Sequence, residues 1–502
     1  MNLGTLCRAA NISCPPDQAD LTVGSVSVDS RCRAENSLFV CIRGLHHDSH
    51  RFIPEAVRNG ARWVLVQEDC FSGPIPDVTV LRTSDTRRAS ANLYNAFYGF
   101  PAGRMRFIGV TGTNGKTTVT HLLRAILQTS LCRCGLIGTV GCESAGRHLE
   151  NRMNDRLANM TTPDPPELYR MLSEMADDGV EYVLMEVTSH ALALGKLEPI
   201  RFDAGIFTNL TPEHLDFHGT MDAYAEAKSG LFRRCALSVI NVDSPYADRM
   251  ISAAAGRVAT CSAAGNRADY RATDVCRDGQ NGVGYLLSSA RSRLSIRCAI
   301  PGEFSVMNSM QAAVCAKELG FGNAAIRDAL ASIGGVRGRM ERLKLGPDAD
   351  FSVIIDYAHT PDALEKLLRT ANDLRRPGER TVLVFGCGGD RDRSKRPLMG
   401  AVASRYADDV IVTSDNSRSE DPEEIIRQIL TGIDPAKPVR VIPDRAEAIR
   451  TAVRTALPGD IILLAGKGHE EYEITKTGKR PFRERELVRD ALAERSRPDR
   501  QT

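Results

Sequence analysis

The run GVTGTNGKTT, residues 109–118, decides how this chain is to be read. An apolar stretch, MRFIGV (105–110), leads into it. A segment of helical spacing, KTTVTHLLRAILQTS (116–130), leads out of it, with apolar residues at Val119, Leu122, Leu123, Ile126 and Leu127. Strand, Gly-rich loop and helix in that order wrap phosphates with backbone N–H groups, helped by the helix N-terminus. Gly112, Thr113, Asn114, Gly115, Lys116, Thr117 and Thr118 form the predicted loop. Lys116 is placed on the β- and γ-phosphates, and the Thr117 hydroxyl on Mg²⁺. Position 110 is Val, so the loop is shorter than a strict GxxxxGK(S/T) motif. A plain βα turn is the bland alternative, and Lys-Thr in register argues against it.

Working outward, CGLIGTV (134–140) completes a βαβ unit, and EYVLMEV, AGIFTNL and ALSVINVD continue a parallel-sheet pattern. GGVRGRMERL (334–343) breaks it. The alternation then restarts with FSVIIDYAHT, RTVLVFGCGGD, DDVIVTSD and DIILLAGKGHE, separated by helical segments at 361–375, 395–407, 422–433 and 446–456. Residues 1–100 hold short strands, SLFVCI and ARWVLVQ, around a helix in RFIPEAVRNG, and YGFPAGR (98–104) reads as a linker. The expected architecture is therefore α/β in three domains, at 1–103, 104–335 and 336–502, the second a P-loop parallel-sheet domain and the third Rossmann-like. The tail ERSRPDRQT (494–502) is expected to fray.

The chain's 502 residues suit two to four domains. A formal net charge of +2 argues against a nucleic-acid binder. No apolar run approaches the ~20 residues that span a bilayer, and MNLGTLCRAANISCPPDQAD lacks a signal-peptide core. The 14 cysteines are scattered without metal-site spacing. The expectation is a reduced, cytoplasmic protein with Cys387 as a packing residue.

Polar clusters follow the apolar strands: TGTNGKTT, TSHAL, TPEHLDFHG, YAHTPD, GCGGDRDRSKR, SDNSRSEDP and AGKGHEEYE. In open α/β sheets that is where ligands bind. Glu186, ending YVLMEV, and His214, in TPEHLDFHG, are candidate metal ligands, each with a polar-loop reading as rival. Lys228, in MDAYAEAKSGLF, reads from composition as an exposed helical lysine. A cation beside Mg²⁺ is electrostatically wrong unless its charge is inverted, as by carbamylation. Asp356 and His359, in DYAHTPDAL, suit a ribose hydroxyl and a base or phosphates. The basic residues of GCGGDRDRSKRP suggest anion binding, with a solvated loop as the competing reading.

In this order, GVTGTNGKTT, EVTSH, FTNLTPEHLDFHGT, AYAEAK, GRMERL, DYAHTPDAL, GCGGDRD and AGKGHE resemble the Mur ligase family over nearly the whole chain. The likeness is to members that add the third residue of the peptidoglycan stem peptide. VDSRCRAENSLFVCIRG (28–44) is similar to their uridine-binding domain. The resemblance implies a monomeric, ATP- and Mg²⁺-dependent ligase joining meso-diaminopimelate to UDP-N-acetylmuramoyl-L-alanyl-D-glutamate through an acyl phosphate. It implies Lys116, Thr117 and Glu186 at the phosphates and a first Mg²⁺, with His214 and a carbamylated Lys228 at a second. Asn308, Arg339, Asp356 and His359 match nucleotide positions. Ser30, Thr161, Thr162, Thr188 and Lys196 match UDP-sugar positions. Arg391, Asp415, Asn416, Arg418, Gly466 and Glu470 match the amino-acid site. Diaminopimelate-using members carry Asp-Asn-Pro-Arg there; this chain carries Asp415-Asn416-Ser417-Arg418. Lysine-using relatives lack that arginine, and a guanidinium is the natural bidentate partner of the distal carboxylate.

The rival readings are a lysine-adding relative, folylpolyglutamate synthetase, a regulatory P-loop ATP-binding protein, and a nucleic-acid-binding ATPase. Arg418 argues against the first, the uridine-domain-like N-terminus against the second, TPEHLDFHG with Lys228 against the third, and the near-neutral charge against the fourth.

Overall fold

The computed structural model describes residues 1–44, 48–71, 73–150, 160–346 and 349–495. Of the tail 494–502 only the first two residues fall within that description, and they close a helix, Glu484–Arg495.

Three sheets organise the chain. The first is parallel and four-stranded, in the order Ser25–Ser27, Ser37–Val40, Ala61–Gln67, Thr79–Thr83. The Trp63 indole N–H, buried beneath it, finds its acceptor in Gln18 Oε1 at 2.8 Å. The helix Thr86–Phe97 leads out of this sheet, capped by the Asp85 carboxylate accepting from two backbone N–H groups. It packs on the helix Pro165–Asp177, so one apolar core runs on into the next domain.

The second sheet has eleven strands. From Tyr270–Arg277 through Arg257–Ser262, Cys235–Asn241, Phe202–Phe207, Arg106–Thr111 and Tyr182–Glu186 to Cys134–Gly138, every pairing is parallel. Both faces of this middle are covered, as its unbroken apolar strands require. Leu122, Leu123, Ile126 and Leu127 of the loop's own helix, Lys116–Thr129, are fully buried, at about 1.5–3 kcal/mol of burial each.

The sheet departs from the expected all-parallel form at both edges. Val283–Ser289 and Arg293–Cys298 pair antiparallel at one, and Gly141–Ser144 and Arg147–Leu149 at the other. Arg293–Cys298 alternates exposed and buried residues, the pattern of a strand with one face in water.

The third sheet runs Glu341–Arg342, Ser352–Asp356, Ile461–Ala465, Thr381–Phe385, Asp409–Val412, Val439–Val441, parallel except for its first, antiparallel strand. Separate apolar clusters cover its two faces. A two-stranded hairpin, Tyr472–Thr475 with Gly478–Pro481, stands beside it. Among the described residues no helix is long and apolar enough to cross a membrane. All fourteen cysteines are free.

The consequence for the site is geometric. Arg106–Thr111 lies between Tyr182–Glu186 and Phe202–Phe207, so the Gly-rich loop, Glu186 and the TPEHLDFHG loop emerge from adjacent strand ends. Four neighbouring strands of the third sheet likewise carry DYAHTP, AGKGHE, GCGGDR and SDNSR at their carboxyl ends.

Candidate active site

Gly115 caps the loop's helix at φ 89°, the left-handed region, and a Cβ there would stand 2.7 Å from Asn308 Oδ1. Lys116 Nζ folds back onto the carbonyls of Gly112 (2.9 Å) and Thr113 (2.8 Å). Thr117 Oγ1 donates to Glu186 Oε2 at 3.0 Å. The Thr139 N–H and Oγ1 bond the same buried carboxylate at 2.8 and 2.9 Å. A hydroxyl and a carboxylate at the mouth of a phosphate loop are hard oxygen donors, the set Mg²⁺ takes beside phosphates.

These groups open into a cavity of about 250 Å³ that lies between the second and third sheets. Asn308, Arg339, Asp356 and His359 all line it, with Ile300, Phe304 and Leu367 forming an apolar end. Three contacts bridge its lips: Arg339 Nη2 to Thr117 Oγ1 (3.2 Å), Asn114 Nδ2 to Asp362 Oδ2 (2.7 Å), and His359 Nε2 with Glu213 Oε1 (3.1 Å). Burial opposes ionisation of Glu213, but the His359 hydrogen bond and the charges of His214 and Lys116 hold it well below the usual carboxylate range. Both Asp356 oxygens accept backbone N–H groups, from Met340 and Ala358 at 2.7 Å each, so this carboxylate also pins the interdomain segment.

Lys228 lies in the last turn of the helix Met221–Ser229 and is 1% exposed, which corrects the exposed-lysine reading. Its Nζ sits over the Tyr224 ring and donates to Gly112 O at 2.9 Å, the carbonyl Lys116 already uses. Burial, then the Lys116 charge, drives the Lys228 amine well below its ordinary range. As an amine it does not fit a metal site. As a carbamate it would offer anionic oxygens near His214, whose own backbone is left-handed at φ 57° and whose imidazole burial pushes down to about 4.

Thr161, Thr162 and Thr188 come together around Glu186: Thr162 Oγ1 donates to Glu186 O at 2.8 Å, lies 3.2 Å from Thr188 Oγ1, and Thr161 Oγ1 meets Thr139 Oγ1 at 3.1 Å. Lys196 reaches the same segment, its Nζ 2.7 Å from Asp164 Oδ1. Ser30 stands apart, in the first domain, bonded to Glu55 Oε2 at 2.6 Å.

The amino-acid candidates assemble at the third sheet. Asp415 and Asn416 are buried, and a Cβ on Gly466, at φ 116°, would strike the Asp415 carboxylate. Asn416 Nδ2 donates to Glu470 Oε2 at 2.7 Å. Arg418, left-handed at φ 51°, gives Nη1 to the carbonyls of Gly389 (2.8 Å) and Asn416 (3.3 Å), and no carboxylate pairs with it among the described residues. Its surroundings and the Arg418 charge hold Arg391 below the usual arginine range. The wider anion-binding expectation for GCGGDRDRSKRP narrows to Arg391. Arg393 and the buried Arg396 pair with Glu420 at 3.1 and 2.9 Å, and Lys395 holds His359 O at 2.8 Å.

Sequence reading passed over Thr139, Glu213, Tyr357 and Lys467. Glu213, Tyr357 and Lys467 each lie inside a motif that was singled out, one residue from the chemistry that drew notice, whereas Thr139 follows a strand, CGLIG, read only for its apolar run. Tyr357 lines the cavity and carries Arg339 over its ring at 4.4 Å. Elsewhere, Asp48, His50 and Cys70 bring ligand atoms within 4.8 Å of one another. His50 Nε2 accepts from the Gln67 N–H at 3.1 Å, so its hydrogen is on Nδ1, facing Asp48 Oδ1 at 2.5 Å. That is a loop-holding hydrogen bond with no lone pair left for a metal.

Known proteins resemble this chain in sequence and fold. Residues 110–316 match the Mur ligase middle domain, and 338–468 match the Mur ligase, glutamate ligase domain. The UDP-N-acetylmuramoyl-L-alanyl-D-glutamate–2,6-diaminopimelate ligase of Caldanaerobacter subterraneus subsp. tengcongensis is 42% identical over 95% of this chain and 96% of its own. That of Chlorobium phaeobacteroides is 42% identical over 94% and 93%. A solved structure of a ligase of the same name superposes with TM-score 0.68 at 32% identity, covering 99% of this chain and all of the other. Folylpolyglutamate synthase from Mycobacterium tuberculosis shares the fold, with TM-score 0.62 at 19% identity, over 76% of this chain and 93% of its own.

Proposed function

The chain belongs to the Mur ligase family, and on that premise we propose that it joins meso-diaminopimelate to UDP-N-acetylmuramoyl-L-alanyl-D-glutamate at the expense of ATP, in peptidoglycan precursor synthesis. One observation carries the choice of amino acid. A loop with three buried polar residues, Asp415, Asn416 and Ser417, and an arginine with no carboxylate partner among the described residues faces Glu470 and Arg391, beside the phosphate loop's cavity. Acidic Asp415 and Glu470 suit an ammonium group. Arg418 and Arg391 suit a carboxylate that lysine does not have. A site built to pair a polar group rejects an analogue lacking it by ~10⁴-fold.

The chemistry asked of the protein is positioning and charge stabilisation. The loop N–H groups and Lys116 hold the triphosphate, whose γ-phosphoryl passes to the substrate carboxylate. Arg339, already on Thr117, faces the same phosphates. The Asp415 and Glu470 carboxylates hold the incoming amino acid so that its free amine attacks the acyl phosphate, and phosphate leaves from the tetrahedral adduct. Mg²⁺ on Thr117 and Glu186, and a second on His214 and carbamylated Lys228, would supply neutralisation of phosphate charge. Thr161, Thr162, Thr188 and Lys196 hold the sugar-peptide near Glu186, with Ser30 at the uridine.

The products test this reading. With all substrates and Mg²⁺, ADP, phosphate and UDP-N-acetylmuramoyl-tripeptide are expected in equal amounts. ATP hydrolysis without peptide product would instead mark a P-loop ATPase.

A further inference from the structure

Behind the amino-acid pocket lies a cation that no substrate can touch. Lys467 is completely buried. Its Nζ donates to Asn416 Oδ1 at 3.0 Å and to Tyr472 O at 3.0 Å, and lies 3.7 Å from Asp415 Oδ1. The Phe482 ring closes the far side, 5.5 Å from the ammonium. An ammonium held out of water, with a carboxylate oxygen at 3.7 Å but not in hydrogen-bond contact, is costly. Its hydrogen bonds indicate what it is for.

Asn416 Oδ1 accepts a second hydrogen bond, from the Ile474 N–H of the hairpin at 2.9 Å. An amide oxygen has two lone pairs, and both are now filled. The usual ambiguity between amide oxygen and nitrogen is removed, because a flipped amide would aim its NH₂ at two donors. The NH₂ is therefore fixed toward the pocket. One of its hydrogens goes to Glu470 Oε2 at 2.7 Å, and the other makes no hydrogen bond within the described residues. Asn416 can thus meet its ligand only as a donor, and the ligand atom must be an acceptor such as a carboxylate oxygen.

The same bonds join three segments. Arg418 N donates to Ile474 O at 3.0 Å, so the SDNSR loop and the hairpin are stitched on both sides of Asn416, with the AGKGHE loop supplying the lysine. The Lys467 charge, together with that of Arg445, also offsets burial at Asp415 and holds that carboxyl below its ordinary range.

We infer that Lys467 is a positioning residue for amino-acid selection: from behind the pocket it locks the Asn416 amide with its NH₂ toward the ligand, and so makes this loop a reader of carboxylates. The inference rests on the diaminopimelate reading above. Lys467→Met keeps the stem and removes the donor. It is expected to raise KM for meso-diaminopimelate roughly 10–100-fold, with KM for ATP and for the UDP-dipeptide changed less than about 3-fold. In an Asn416→Ala background the same substitution should add less than about 3-fold, because the lysine acts through the amide. Equal rises in all three KM values, or independent effects of the two substitutions, would overturn it. If Lys467→Met does not fold, Asn416→Asp carries the test. It keeps an acceptor for Lys467 but shows the pocket an oxygen, so KM for meso-diaminopimelate should rise by a similar factor, and an unchanged value would refute the inference. A wild-type protein that does not ligate diaminopimelate would defeat the functional reading. A wild-type that does, with these variants unaffected, would defeat this inference alone.

Discussion

Lys228 is the residue whose chemistry is most constrained by its surroundings. Two lysines donate to one carbonyl, Gly112 O, and one of them is sealed from water. Burial and the neighbouring charge both favour the neutral amine, and a neutral amine is the form that adds CO₂. Lys228→Ala is expected to lose activity by about 10²–10³-fold, the range seen when one preorganised charge-stabilising group is removed. A small carboxylic acid in the buffer should restore part of it. Full activity in the unsupplemented variant would refute the carbamate role. The sequence placed Lys228 on a helix but not in the core. Its flanking residues are mixed, and only the packing of Met221–Ser229 under the phosphate loop buries it.

At the level of elements, the site is a set of strand ends, and what holds those ends together is itself buried. Arg445 opens the helix Arg445–Arg454 and is fully buried with Glu484, the first residue of the last helix, 2.7 Å away. Its guanidinium also donates to Ala465 O (2.9 Å) and Ser414 O (3.3 Å), the residues just before Gly466 and Asp415. Breaking a buried pair leaves an uncompensated charge. Glu484→Gln is therefore expected to destabilise the third domain by about 3–5 kcal/mol, read as a lowered urea midpoint; a shift under 1 kcal/mol would contradict that view of the pair. Strand-to-loop order was legible here because parallel strands read as unbroken apolar runs. The antiparallel edges and the 472–481 hairpin were not. Their alternation is short and half polar, and the hairpin strand Gly478–Pro481 is exposed throughout. The partners of Arg445 lie 20 to 39 positions away in sequence, beyond the reach of local pattern.

For the whole molecule, the second and third sheets bring their loop-bearing edges toward one cavity, and three side-chain contacts across it join the central domain to the third. The phosphate loop, the segment of Asp356 and His359, and the SDNSR loop were readable in advance, since each follows an apolar strand; Asn308, inside the helix Phe304–Glu318, and Arg339 came only with the family resemblance. Their meeting was not, because Thr117 and Arg339, or Asn114 and Asp362, are joined only by the fold. The central claim is that this assembly selects a diamino acid with a second carboxylate. The direct measurement is phosphate release by the purified protein with UDP-N-acetylmuramoyl-L-alanyl-D-glutamate, ATP and Mg²⁺, comparing kcat/KM for meso-diaminopimelate and L-lysine. A preference for diaminopimelate of the order of 10⁴-fold is predicted from the polar pairing at Arg418. Equal or faster turnover of lysine would contradict it.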